Sequence, residues 1–139
     1  MLPLDTHVLS EPLRPASDPC VLAWIDAQAI ETLYLPPITV AELRFGIAAM
    51  PPDKRCDPLR RLEAEVLPLF QDRVLAFDLE AAQAMPVSWR GAREAGRGVA
   101  MADGCVAATA ASRGLMVATR DTSPFEAAGL RTLDPWAPP

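Results

Sequence analysis

The stretches of this chain that can form strands are all very short. Met1 to Leu4, Thr32 to Leu35, Arg73 to Phe77, Leu115 to Ala118 and Leu130 to Leu133 are brief runs rich in apolar residues. Between them, apolar residues recur at helical spacing, as in Val21, Leu22, Trp24 and Ile25, or Val40, Leu43, Ile47 and Met50, or Leu59, Leu62, Val66 and Phe70. Short buried strands alternating with helices make βαβ units, which build a mainly parallel sheet covered by helices. The expected fold class is therefore α/β.

Breakers set the limits of these elements. The proline-rich stretches Arg14 to Pro19 and Met50 to Pro58 read as connections. Helices are expected over Val21 to Ala29, Thr39 to about Met50, and Leu59 to Phe70, the last shortened or kinked by Pro68. Another runs from Leu79 to about Ala95, broken near Pro86 and ended by Gly96 and Gly98, and a small-residue helix spans Ala102 to Arg113 before Gly114. The face formed by Leu59, Leu62, Val66 and Phe70 suits either the core or a dimer surface. No internal repeat is visible, and 139 residues suit a single domain over 1–139 that closes in a proline-rich tail at 134–139.

Four acids stand where such a sheet would gather them. Asp5 and Asp121 follow strand segments directly, while Glu42 and Asp103 lie near the starts of helices. The carboxyl ends of parallel strands share one edge, where a ligand crevice forms. Carboxylates crowded there repel one another unless a hard cation sits among them, and oxygen donors select Mg²⁺ or Mn²⁺. The pattern points to metal-assisted phosphodiester chemistry. Each acid also has a local explanation. Asp5 can cap the turn after it, and Thr39 with Glu42 fits a capping box. Asp103 suits the positive end of its helix dipole, and Asp121 an Asx turn.

Composition narrows the alternatives. The single histidine, His7, excludes a multi-histidine zinc site, and Cys20, Cys56 and Cys105 are too widely spaced to form a metal-ligand pair. They suit reduced thiols in a cytoplasmic protein. No apolar run reaches membrane-spanning length, and no basic segment precedes the first apolar stretch, so neither a membrane span nor a signal peptide is expected. A net charge of −5 gives no general attraction for nucleic acid. Arg90, Arg93 and Arg97 nevertheless fall three to four apart, so a helix would align them as a solvated face or as an RNA-contact stripe. Trp24, Trp89 and Trp136 are too dispersed for a base-stacking platform, so core and interface roles are expected of them.

The order of motifs resembles a known family. Met1-Leu-Pro-Leu-Asp-Thr-His-Val-Leu-Ser-Glu11 is similar to the opening of PIN-domain ribonucleases of the VapC toxin type. The likeness continues through Ile38 to Ile47, Ala102 to Ala110, Val117 to Asp121, Phe125-Glu126 and Leu133 to Trp136, and is greatest to the FitB-like branch. The resemblance implies a three-layer α/β fold with a central, mainly parallel sheet flanked by helices. It implies that Asp5, Glu42, Asp103 and Asp121 are catalytic and hold Mg²⁺ or Mn²⁺, with Thr6 and Thr119 supporting them. It also implies a cognate antitoxin encoded alongside, whose basic side chain enters the acidic pocket. The assembly implied is a homodimer, or a heterotetramer or larger with that antitoxin. Departures are His7 in place of asparagine, Gly104 in place of alanine, aspartate at 121 where asparagine is frequent, Pro3 in a strand that should be central, and Pro86 in a helix that is normally continuous.

The leading expectation is a metal-dependent endoribonuclease toxin. A catalytically weakened PIN scaffold that binds antitoxin or RNA without cutting is the alternative. A phosphorylation receiver also clusters carboxylates, but it needs a lysine late in the chain, and Lys54 is the only lysine.

Overall fold

The first strand sits at the centre of the sheet, and a proline shapes how it pairs. The structure, a computed structural model, describes residues 1–85, 89 and 97–138, with the side chains of 97–100 outside that description. β1 (Leu2–Pro3) pairs in parallel with β2 (Leu33–Tyr34), Leu2 opposite Leu33 and Pro3 opposite Tyr34. β3 (Val117–Ala118) pairs in parallel with β4 (Thr132–Leu133). Single parallel bridges, Leu4 with Ala118 and Leu35 with Val74, join these pairs. The order across the sheet is therefore Val74, β2, β1, β3, β4, all parallel.

Backbone N–H groups alternate sides along a strand. The Leu4 N–H donates to the Tyr34 carbonyl at 3.1 Å, and the Asp5 N–H to the Ala118 carbonyl at 3.0 Å. The missing N–H of Pro3 thus falls on the β3 side. β1 meets β3 by a bridge beyond the proline rather than by a longer ladder, so the central strand tolerates Pro3. The expected strand over Arg73 to Phe77 is reduced to its bridge at Val74.

Seven helices are described: α1 (Thr6–Ser10), α2 (Pro19–Ala27), α3 (Pro37–Ala48), α4 (Cys56–Arg61), α5 (Leu79–Gln83), α6 (Arg97–Arg113) and α7 (Thr122–Ala127). α2 begins where Asp18 accepts from the Cys20 N–H at 2.8 Å, with Pro19 at the first helical position. α3 starts two residues earlier than Thr39 because Pro37 fits the first turn, where no N–H is needed. After α4 the chain widens to a π-type turn over Leu62–Val66 and tightens to a 3₁₀ turn over Leu67–Phe70. Pro68 is the cause, since it cannot donate one turn back and its ring crowds that carbonyl. Leu62 and Phe70 are buried, and Leu59 and Val66 pack on the same cluster, so this face belongs to the core.

The core has two parts. Leu2, Leu4, Val8, Leu9, Leu33, Leu35, Leu43 and Ile47 form one cluster between sheet, α1 and α3. Val106, Ala107, Ala110, Val117 and Phe125 form the other, where the alanines let α6 lie close to β3. α6 begins at Arg97, not Ala102, so Asp103 lies about two turns in rather than at the helix start. α5 ends at Gln83 instead of running on, and Pro86 lies outside the described residues. Among the described residues no helix is long and apolar enough to cross a membrane.

Candidate acidic site at the carboxyl edge of the sheet

Asp5 leaves the end of β1 and is buried, with 2 % of its surface exposed. Its Oδ1 accepts from the Thr6 N–H at 2.6 Å, which makes it the N-cap of α1. Its Oδ2 accepts from the Thr119 hydroxyl at 2.6 Å, across 114 positions of sequence. Thr119 in turn accepts from the Asp121 N–H at 3.2 Å. Two strand ends, β1 and β3, are thereby locked together through one carboxylate. The capping role and a place in the acidic cluster are both true of Asp5.

Glu42 reaches the same edge from α3. Its Oε1 accepts from the Thr6 hydroxyl at 2.5 Å. The capping box does not form, because Thr39 is inside the helix and donates instead to the Leu4 carbonyl at 3.2 Å. That bond ties α3 to the end of β1 and aims Glu42 at the neighbourhood of Asp5. Burial raises the Glu42 pKa, the Thr6 hydroxyl opposes the shift, and the Asp5 charge adds to it.

Asp103 is half-buried on α6, too far along that helix for its dipole to explain the residue. Its pKa is pushed up to about 7, first by burial, then by the charges of Asp5 and Glu42, with His7 opposing and Asp121 adding. Asp121 is exposed before α7, and its side chain makes no capping hydrogen bond, so the Asx-turn reading fails. The exposed His7 places Nδ1 3.7 Å from Asp5 Oδ2. The Asp5 carboxylate beside it raises the His7 pKa against partial burial, while the nearby Arg120 charge lowers it.

The Thr6 hydroxyl thus stands beside Asp5 and Glu42, the Thr119 hydroxyl stands between Asp5 and the Asp121 backbone, and the charges of these three acids reach Asp103. Among the described residues, no three His, Cys, Asp or Glu side chains stand close enough to hold an ion unaided. The donors are oxygens, two hydroxyl-braced carboxylates and two without a capping bond, and this donor set fits a hard divalent cation. Arg90 and Arg93 lie outside the described residues, as does the Arg97 side chain, so the arginine stripe falls there too.

Some features of the site were invisible in the sequence. Gly104 leaves room for an indole: a Cβ there would lie 3.2 Å from Met85 Sδ and 3.5 Å from the Trp89 ring. Trp89 meets Phe125 edge-on at 5.6 Å, so glycine and tryptophan are a matched pair behind Asp103. Trp24 and Trp136, 112 positions apart, pack on the main core cluster and line one cleft, while Trp89 packs on the second cluster, in keeping with core roles for all three. The Arg120 guanidinium lies 5.3 Å from the centre of the Trp136 ring. That contact follows from the pairing of β3 with β4, since each strand continues into one partner.

Comparison with known proteins agrees with this architecture. A family model described as PIN domain matches residues 3–130. The chain is 57 % identical to VapC ribonuclease Y4jK of Sinorhizobium fredii (strain NBRC 101917 / NGR234), covering 99 % of each. It is 46 % identical to Toxin FitB of Neisseria gonorrhoeae (strain ATCC 700825 / FA 1090), covering 98 % of this chain and 99 % of that protein. The crystal structure of FitAcB from Neisseria gonorrhoeae superposes with a TM-score of 0.84 at 45 % identity, covering 99 % of this chain and 100 % of that one.

Proposed function

Since this chain belongs to the PIN-domain family, we propose that it is an endoribonuclease, the toxin of a type II toxin–antitoxin pair, which cuts RNA with Mg²⁺ or Mn²⁺. The whole chain acts as one domain in the cytoplasm. One observation carries the reading beyond the family: Thr6 links Asp5 to Glu42 and Thr119 links Asp5 to the Asp121 backbone, so that acids from three separate segments meet at one edge of the sheet.

Asp5 and Asp103 are the direct metal ligands in this reading, with Glu42 and Asp121 binding directly or through water. The bound cation supplies charge neutralisation on the phosphate and lowers the pKa of a water. The chain's own groups do the positioning. Thr119 and the Thr6 N–H hold both oxygens of Asp5, and the Thr6 hydroxyl holds Glu42. Asp103, whose pKa burial and the neighbouring carboxylates raise to about 7, would give up its proton when the cation binds. Arg90, Arg93 and Arg97 are proposed RNA contacts.

The relatives' names and the FitAcB structure support a small cognate antitoxin as partner, in a homodimer or a larger complex of toxin with antitoxin. An apolar groove of about 300 Å³ begins at Thr6 and Glu42 and continues over Leu13, Leu43, Ile47 and Met50. A helix or tail of the antitoxin laid there would bring a basic side chain to the acids. The deciding experiment incubates the purified protein with total RNA, with and without Mn²⁺, and maps new RNA ends. New ends that require Mn²⁺ and vanish in Asp103→Asn support the enzyme. Weak Mn²⁺ binding and no new ends would make the chain a non-cutting scaffold.

A further inference from the structure

Beside the acidic edge lies a second concavity of about 820 Å³, lined by Cys20, Ala23, Trp24, Leu133, Asp134 and Trp136 among others. Its size falls in the range of small-ligand pockets, about 300–1,000 Å³. α2 provides one wall, and the chain beyond β4 provides the other. The far wall is held in place, since the Trp136 N–H donates to Asp134 Oδ1 at 2.9 Å. Both indoles are partly buried, each packing on the main core cluster while also lining the cleft.

Arg120 connects this cleft to the acids. It is exposed, it follows Thr119, whose hydroxyl binds Asp5, and it precedes Asp121. Its guanidinium rests over the Trp136 ring. Stacking on an indole fixes the guanidinium plane and leaves its N–H edge free to fork onto a phosphate. A chain with net charge −5 needs such a local cation to hold a polyanion. The cleft itself is apolar and aromatic, with one carboxylate, Asp134, in its wall. That chemistry repels a phosphate but accepts a base, through stacking and an N–H edge turned to the carboxylate.

We infer that Arg120 and the Trp24–Trp136 cleft form a nucleotide subsite for single-stranded RNA, Arg120 holding a phosphate next to the scissile one and the indoles receiving the adjoining base. This rests on the ribonuclease reading and adds to it the strand's path away from the acids. Aromatic stacking tolerates every base, so the subsite contributes affinity and register more than sequence choice.

The test uses the full chain carrying Asp5→Asn, which keeps the RNA intact, with a short fluorescein-labelled single-stranded RNA in Mn²⁺ read by anisotropy. Adding Arg120→Ala should weaken binding about tenfold and flatten the salt dependence by roughly one phosphate contact, a slope change of about 0.7. Arg120→Lys should restore the salt slope but not the full affinity. Trp136→Leu keeps an apolar group in the wall and should weaken binding about tenfold. An RNA with abasic nucleotides should bind the parent as weakly as intact RNA binds the Trp136→Leu protein. RNA should shield Cys20 from alkylation while Cys56, exposed and outside the cleft, reacts as before. If the parent binds RNA but Arg120→Ala leaves affinity and salt slope unchanged and Cys20 stays reactive, the subsite is wrong and the ribonuclease reading stands. If the parent binds no RNA, both fall. Should Trp136→Leu unfold, Arg120→Ala and Cys20 protection decide alone.

Discussion

The two sides of the acidic edge are built differently. On the β1 side, Asp5 and Glu42 are tied down by the Thr6 N–H, the Thr6 hydroxyl and the Thr119 hydroxyl. On the α6 side, Asp103 is half-buried with its pKa raised to about 7, and Asp121 is exposed with no capping bond. A carboxylate held by donors contributes to the fold with or without a cation. One left among like charges strains the fold until a cation arrives. The four acids therefore divide into a pair held by the fold and a pair left without such donors.

The largest expected effect erases the difference. Asp5→Asn and Asp103→Asn should each lower Mn²⁺-dependent RNA cleavage at least about a hundredfold, because each removes a proposed ligand and its charge. Gel or fluorescence cleavage assays measure this. Near-normal cleavage in either variant would take that residue out of the metal site.

Stability should separate the halves. Thr119→Val leaves a buried Asp5 oxygen without its donor and should cost about 1–3 kcal/mol by urea unfolding in EDTA. Asp103→Asn should instead match or exceed the parent. Equal losses in both would mean that Asp103 is also held by the fold, and the contrast would disappear.

The pH dependence follows from the same shifts. Asp103 has a folded pKa near 7 against 3.8 unfolded, so the folded state binds more protons between those values. Stability in EDTA should therefore fall as pH rises through that window. The raised Glu42 pKa acts in the same direction, and the raised His7 pKa gives stability that is lost as pH rises through it. Melting temperature in EDTA should be lower at pH 8 than at pH 5.5. Asp103→Asn should flatten the change, and saturating Mn²⁺ should reduce it. A melting temperature that climbs over this range in EDTA would contradict the assignment.

The smallest effect concerns the support behind Asp103. Gly104→Ala should gain about 1 kcal/mol in helix propensity. It should lose most of that to the contact with Met85 Sδ at 3.2 Å, a flexible side chain that must give way. A near-zero net change in stability with cleavage reduced no more than about threefold is expected. A large activity loss would show that the Gly104–Trp89 contact sets the position of the Asp103 carboxylate.

The sequence by itself determined the α/β class, the parallel pairing, the order of elements and the positions of the acids. Those properties rest on short-range rules: strand segments too brief to be helices, helical spacing between them, and prolines at their ends. The central place of the first strand came from the family resemblance alone, with Pro3 standing as a departure from it. Only the tertiary structure decided that Thr39 bonds to β1 instead of capping α3, and that Thr119 bonds to Asp5. It alone placed Asp103 well inside α6, because helix propensity gave no reason to extend α6 through Gly98. The cleft of Trp24 and Trp136, with Arg120 beside it, was likewise out of reach. Contacts that join distant segments follow from which strands become neighbours and how helices settle on them, and spacing along one chain does not carry that information.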